Sequence, residues 1–128
     1  LASALGARTD EAGVAYLTVL GGAVQRAAKD RAGVLPPMQS MAVLERSIAH
    51  YVGDKSIFTD PLSHRLFYVN PSLSNKELSS VSDPSTVVLA YSDSPGADGL
   101  RAVGFLDGTA RLVDVDEWAS LQSSQQLP

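Results

Sequence analysis

The chain opens with apolar residues three and four positions apart: Leu5, Ala12, Tyr16, Leu20, Ala23 or Val24, and Ala27. That spacing puts them on one stripe of a 3.6-residue period, so the pattern predicts a helix over residues 1–31. Arg26, Lys29 and Arg31 crowd its end, where cations suit the negative pole of the helix dipole. Gly33 is a plausible stop, and Pro36-Pro37 forbids continuation. At about 1.5 Å per residue the helix would be a rod of about 45 Å, longer than so small a domain can cover. Its first turns are therefore expected to project, with apolar residues that need another partner.

A second helix is expected over 40–52. Ser40 can cap it, and Met41, Leu44, Ile48 and Tyr51 or Val52 form its apolar face. After the Asp60-Pro61 break the period changes to two. Strand candidates follow at Leu66-Phe67-Tyr68-Val69, at Thr86 to Tyr91, at Arg101 to Leu106 and at Thr109 to Val113. Together they predict an antiparallel sheet within 65–113. Leu73, Leu78 and Val81 are expected to pin the Ser/Asn/Pro-rich connection between the first two strands. Asp107-Gly108 between alternating runs reads as a hairpin with a type I′ turn, which needs positive φ at both residues. A short helix over 114–122, with Trp118 and Leu121 inward, and a frayed tail over 123–128 complete the chain. The plan is one α+β domain over 1–128: a long N-terminal helix on a small antiparallel sheet, a second short helix and a C-terminal hairpin, with helices segregated from the sheet.

Composition removes several function classes. With 45% hydrophobic and 19% charged residues in 128, the chain has enough apolar surface to fold as one domain. Acids outnumber bases 14 to 10, which disfavours nucleic acid and anionic lipid as partners. Cysteine is absent, so thiolate metal sites, disulfides and thiol catalysis are excluded. No apolar run approaches the roughly 20 residues that span a bilayer. The chain starts at Leu1, and a segment removed from its upstream side is expected.

Candidate chemistry is sparse. No nucleophile elbow, phosphate loop, HExxH, dinucleotide fingerprint or zinc spacing occurs. His50 and His64 have neither a two-His metal spacing nor a triad around them, and read as a helix-surface and a loop histidine. No enzymatic activity is expected. Carboxylates gather in the last third, and calcium takes six to eight oxygens. Asp93 and Asp98 are the calcium candidates. Asp107 is accounted for by the hairpin, and Asp114 or Asp116 by helix capping.

Several stretches share the order and spacing of a known group. Leu1-Ala2-Ser3-Ala4-Leu5-Gly6-Ala7-Arg8, Leu17 to Asp30, Ala32-Gly33-Val34-Leu35-Pro36-Pro37, Tyr51 to Pro61, Tyr68 to Ser74 and Ser82 to Leu89 follow one another as in type IV pilin-like proteins. Val103-Gly104-Phe105-Leu106-Asp107-Gly108-Thr109-Ala110-Arg111-Leu112-Val113 is the clearest stretch. The chain resembles the globular part of the bacterial prepilin-like group named for a His, nine residues, then Asp-Gly. It departs from that group at Ala97, where the His would stand, and at Thr109, where His is common. Cysteines frequent in relatives are also missing.

The resemblance implies a pilin or pseudopilin subunit of a type IV pilus-like or type II secretion filament. It implies a missing N-terminal membrane helix and assembly with other pilin-like subunits, as homo- or hetero-oligomer. The candidate assembly residues are Leu1, Leu5, Ala12, Tyr16, Leu20 and Val24. Such a protein would be extracytoplasmic, anchored in the inner membrane before assembly and periplasmic or on the cell surface afterwards. The second expectation is a membrane-tethered binding module that does not polymerise and uses the loops at 70–85 and 92–100.

Overall fold

The computed structural model describes residues 10–127. Its first helix, α1, spans Glu11–Asp30. Asp10 caps it: the carboxylate accepts from the Gly13 N–H at 2.9 Å, and its φ of −97° and ψ of 50° lie outside helical geometry. The described helix starts at Glu11, and the part of the 1–31 expectation over residues 1–9 lies outside the described residues. Leu1 and Leu5 lie outside the described residues. At the other end Ala32 and Gly33 both take positive φ, and the Gly33 N–H closes onto the Ala28 carbonyl at 2.7 Å.

Helix α2 spans Met41–Ile48 and runs into a 3-10 turn, Ala49–Tyr51. The Ser40 hydroxyl accepts from the Val43 N–H and starts it, as its sequence position suggests. Met41, Leu44 and Ile48 are buried on one face.

Four antiparallel strands follow in a meander: β1 (Tyr68–Val69), β2 (Val88–Tyr91), β3 (Arg101–Phe105) and β4 (Ala110–Val113), ordered β1-β2-β3-β4. The long β1–β2 connection is held by backbone pairing. The Leu35 N–H donates to the Lys76 carbonyl and the Leu78 N–H to the Gly33 carbonyl, both at 2.8 Å. Leu73 is buried, and Leu78 and Val81 pack against the core, so all three pin this connection as expected.

The β3–β4 turn is not type I′. Gly108 has φ 91°, but Asp107 is not among the positive-φ residues. The Gly108 N–H donates to the Phe105 carbonyl, and the Phe105 N–H to the Thr109 carbonyl. This is the three-residue loop in which only the last residue is left-handed. The Asp107 carboxylate accepts from the Thr109 N–H at 3.0 Å and ties the turn together.

The sheet is covered on both faces. Ala90, Ala102, Leu89 and Leu106 join Leu17, Leu20 and Val24 of α1 in the larger core. Val88, Tyr91, Val103 and Phe105 face the opposite way, onto Trp118 and Leu127. A bulge at Leu89 lets Leu89 and Ala90 both meet the larger core, while Val88 and Tyr91 meet the smaller.

Trp118 belongs to α3, Val115–Gln125, which is capped by the Asp114 carboxylate. This helix closes the second face of the sheet. One expectation is corrected here. The tail does not fray at 123: α3 runs to Gln125, Gln126 turns left-handed at φ 54°, and Leu127 is buried. The apolar face presented by β2 and β3 supplies the reason, since it needs more cover than Trp118 alone.

Candidate functional site

The inner face of α1 is spent on its own domain. Leu17, Leu20, Gly21, Ala23, Val24, Ala27 and Ala28 are buried. Of the expected assembly residues, Leu20 and Val24 are fully buried in the core and Tyr16 is half-buried against it. A residue that fills its own core has no surface for a neighbour, so Leu20 and Val24 fall out as contact residues. Ala12 is exposed.

The free surface of α1 lies opposite. Ala12, Ala15, Thr18 and Val19 are exposed, and Gly22 is half-buried beside them. At 100° per residue these positions fall on one side of the helix. Val19 is 46% exposed, one of only four large hydrophobic side chains so open among the described residues. Sequence reasoning passed over Ala15 and Val19, because the stronger apolar periodicity belongs to the core-facing side.

Asp107 and Gly108 sit where α1 meets the sheet. The Gln25 amide donates to the Leu106 carbonyl at 3.4 Å, within the same turn. A Cβ on Gly108 would stand 2.9 Å from the Gln25 side-chain oxygen. The hairpin turn is thus a docking point for the helix.

The calcium candidates separate. Asp98 is exposed, and its carboxylate accepts from the Leu100 N–H at 3.1 Å as an ordinary turn residue. Asp93 faces Arg65, 3.8 Å away, and Asp10. No group of three or more acidic or histidine side chains among the described residues is arranged to hold a metal ion. His50 packs beside Tyr51 with ring centres 4.1 Å apart, and His64 lies on an exposed loop at φ 62°.

A carboxyl cluster at the start of α1 has no counterpart in the sequence reading. Asp10 is 1% exposed and Asp60 is 0% exposed. Burial first, and then the neighbouring Asp60 carboxyl, push the Asp10 carboxyl up to about 7. Asp60 was readable only as an Asp-Pro break, and Asp10 had no signal beyond its place near a helix start.

An apolar groove of about 340 Å³ lies beside β1, lined by Met41, Ala42, Leu66, Tyr68 and Pro71 among others. Leu66 and Tyr68 on its wall are 44% and 52% exposed. No helix among the described residues is long and apolar enough to cross a membrane.

No family model matches the chain, and no curated protein or solved structure matches it either.

Proposed function

We propose that this chain is the globular part of a filament subunit of the pilin or pseudopilin kind, which assembles through its N-terminal helix. The observation that carries the reading is the division of α1. One side fills the domain core, and the other exposes Ala12, Ala15, Thr18 and Val19 to an outside partner. Small residues let two helix backbones approach closely, and Val19 adds apolar area at the contact. Under this reading a membrane helix upstream holds the subunit before assembly. The filament then lies outside the cytoplasm, as a secretion pseudopilus or a surface pilus.

The assembly residues proposed are Ala12, Ala15, Val19 and Gly22. Leu20 and Val24 act by holding the domain on the helix. The test uses the absence of native cysteine. Ala12→Cys and Val19→Cys are introduced together in the producing cell, and membranes are treated with a short thiol crosslinker. A polymer gives a ladder of adducts through this face. Monomers only, with the protein present and folded, would sink the assembly reading.

The second reading is a membrane-tethered, extracytoplasmic binding module, favoured by the apolar groove beside β1. It predicts monomers in the crosslinking experiment. It also predicts that Tyr68→Ala abolishes ligand capture while α1 surface variants leave it intact.

A further inference from the structure

Asp10 and Asp60 meet where two separate stretches of chain come together, the start of α1 and the loop over 54–66. Each carboxyl rests one oxygen on a main-chain amide. Asp10 Oδ1 accepts from the Gly13 N–H at 2.9 Å, and Asp60 Oδ1 accepts from the Leu62 N–H at 3.0 Å. The remaining oxygen of each, Oδ2, is buried and has no donor among the described residues. The two buried carboxyls are neighbours, and Asp60 acts directly on the Asp10 carboxyl. Two ionised carboxylates have no hydrogen to share. A single proton held between them would satisfy both orphaned oxygens.

We propose that Asp10 and Asp60 form a one-proton latch, which joins the start of α1 to the 54–66 loop and opens when the proton is lost.

The surroundings favour a proton over a compensating cation. Asp93, two residues beyond β2, adds a third negative charge that acts on Asp10. Arg65 lies nearest Asp93, but its side chain is 78% exposed, so solvent screens it. Arg101 on β3 also acts on Asp93 and turns its guanidinium to the Ser92 carbonyl at 2.7 Å. Glu11, next on α1, is exposed. His64 is the imidazole on the loop; its main-chain N–H donates to the Asp60 carbonyl at 2.8 Å.

The sign of the pH dependence follows. Burial holds the Asp10 carboxyl at about 7 in the fold, against 3.8 ordinarily. Between those values the unfolded chain gives up a proton that the folded one keeps. Folding is therefore favoured at low pH and loses ground as pH rises toward 7, by about tenfold in the equilibrium constant per pH unit. Above that the loss levels off. An ionised Asp10 is repelled by Asp60, so opening should part the start of α1 from the 54–66 loop.

The test measures urea unfolding and amide exchange of the 128-residue chain from pH 4 to 9, with exchange corrected for its intrinsic pH dependence. The folding constant is expected to fall about tenfold per unit up to about pH 7, with faster exchange at Gly13 and Leu62 across the same interval. Asp60→Asn is expected to abolish that fall, because its Nδ2 supplies a permanent donor to Asp10. His64→Gln is expected to keep it. A flat wild-type profile, an unchanged slope in Asp60→Asn, or loss of the slope in His64→Gln would each overturn the latch. If Asp60→Asn does not fold, carboxyl carbon-13 titration of the wild-type chain decides. An Asp10 carboxyl that titrates in the ordinary carboxylate range overturns the proposal, and one that titrates near 7 upholds it.

Discussion

Gly21 of α1 lies so close to Gly108 of the β3–β4 turn that a Cβ on Gly21 would stand 3.0 Å from the Gly108 Cα. The obstacle is backbone, which cannot swing aside as a side-chain tip can. Gly21 therefore sets how deeply the helix settles onto the hairpin. Gly22, one residue on, is different: its Cβ would meet only the Arg26 guanidinium at 3.5 Å. Gly21→Val is expected to destabilise the domain by about 2 kcal/mol through overpacking. Gly22→Ala is expected to stabilise it by up to about 1 kcal/mol, through helix propensity. Urea midpoints of the two variants check both; equal shifts would mean that the helix does not rest on this turn.

The two sides of α1 should respond oppositely to truncation. Leu20 is fully buried, and Leu20→Ala is expected to cost about 3 kcal/mol from lost transfer energy and the cavity left behind. Val19→Ala, on the open side, is expected to change stability by less than about 0.5 kcal/mol. Chemical denaturation measures both. A large loss in Val19→Ala would show that the open side is covered within the domain.

The last residues of the described chain carry weight. Leu127 is 7% exposed and packs in the smaller core with Trp118 and Phe105. Leu127→Ala is expected to cost about 2 kcal/mol. Asp114→Ala, which removes the α3 cap, is expected to cost about 1 kcal/mol. Thermal melts followed through Trp118 fluorescence read both changes at the site. Unchanged melts in Leu127→Ala would mean that the end of the chain is not docked.

Arg111 on β4 holds Glu117 on α3 through two parallel hydrogen bonds, one of them at 2.8 Å. The guanidinium keeps the Glu117 carboxyl below its ordinary range. Its stabilising effect is present above the unfolded carboxylate range and lost as pH falls through the lowered folded value. Both side chains are more than a third exposed, so the pair contributes only about 0.5 kcal/mol. Glu117→Gln is expected to lose that amount at neutral pH and little in acid. Salt titration checks it, because the difference from wild type should shrink as ionic strength rises.

Much of the architecture was legible because short-range rules produce it. The capping positions of Ser40 and Asp114, the two-residue period of the strands and the hairpin at Asp107-Gly108 are all local signals. What stayed hidden depends on partners far along the chain. The α1 stripe announced a buried side, but which of its residues remained for an outside partner depended on the sheet that Leu20 and Val24 meet. Asp10 and Asp60 stand fifty residues apart, and nothing local to either indicates a shared proton. The turn departed from type I′ because Asp107 bonds to Thr109 without turning left-handed, which leaves Gly108 alone at positive φ. The tail at 123–127 reads as polar, with Leu127 its one apolar anchor, and no periodicity marks a single residue as buried.

Closing the second sheet face with α3 and Leu127 has a consequence for biosynthesis. A chain made from its N-terminus completes β4 before the residues that cover Tyr91, Val103 and Phe105 exist. Until synthesis passes Leu127, that half of the sheet is an open apolar surface with an unshielded aromatic row. The nascent protein is therefore most vulnerable to wrong association, and most in need of a chaperone, in the last stretch before the end of α3 emerges.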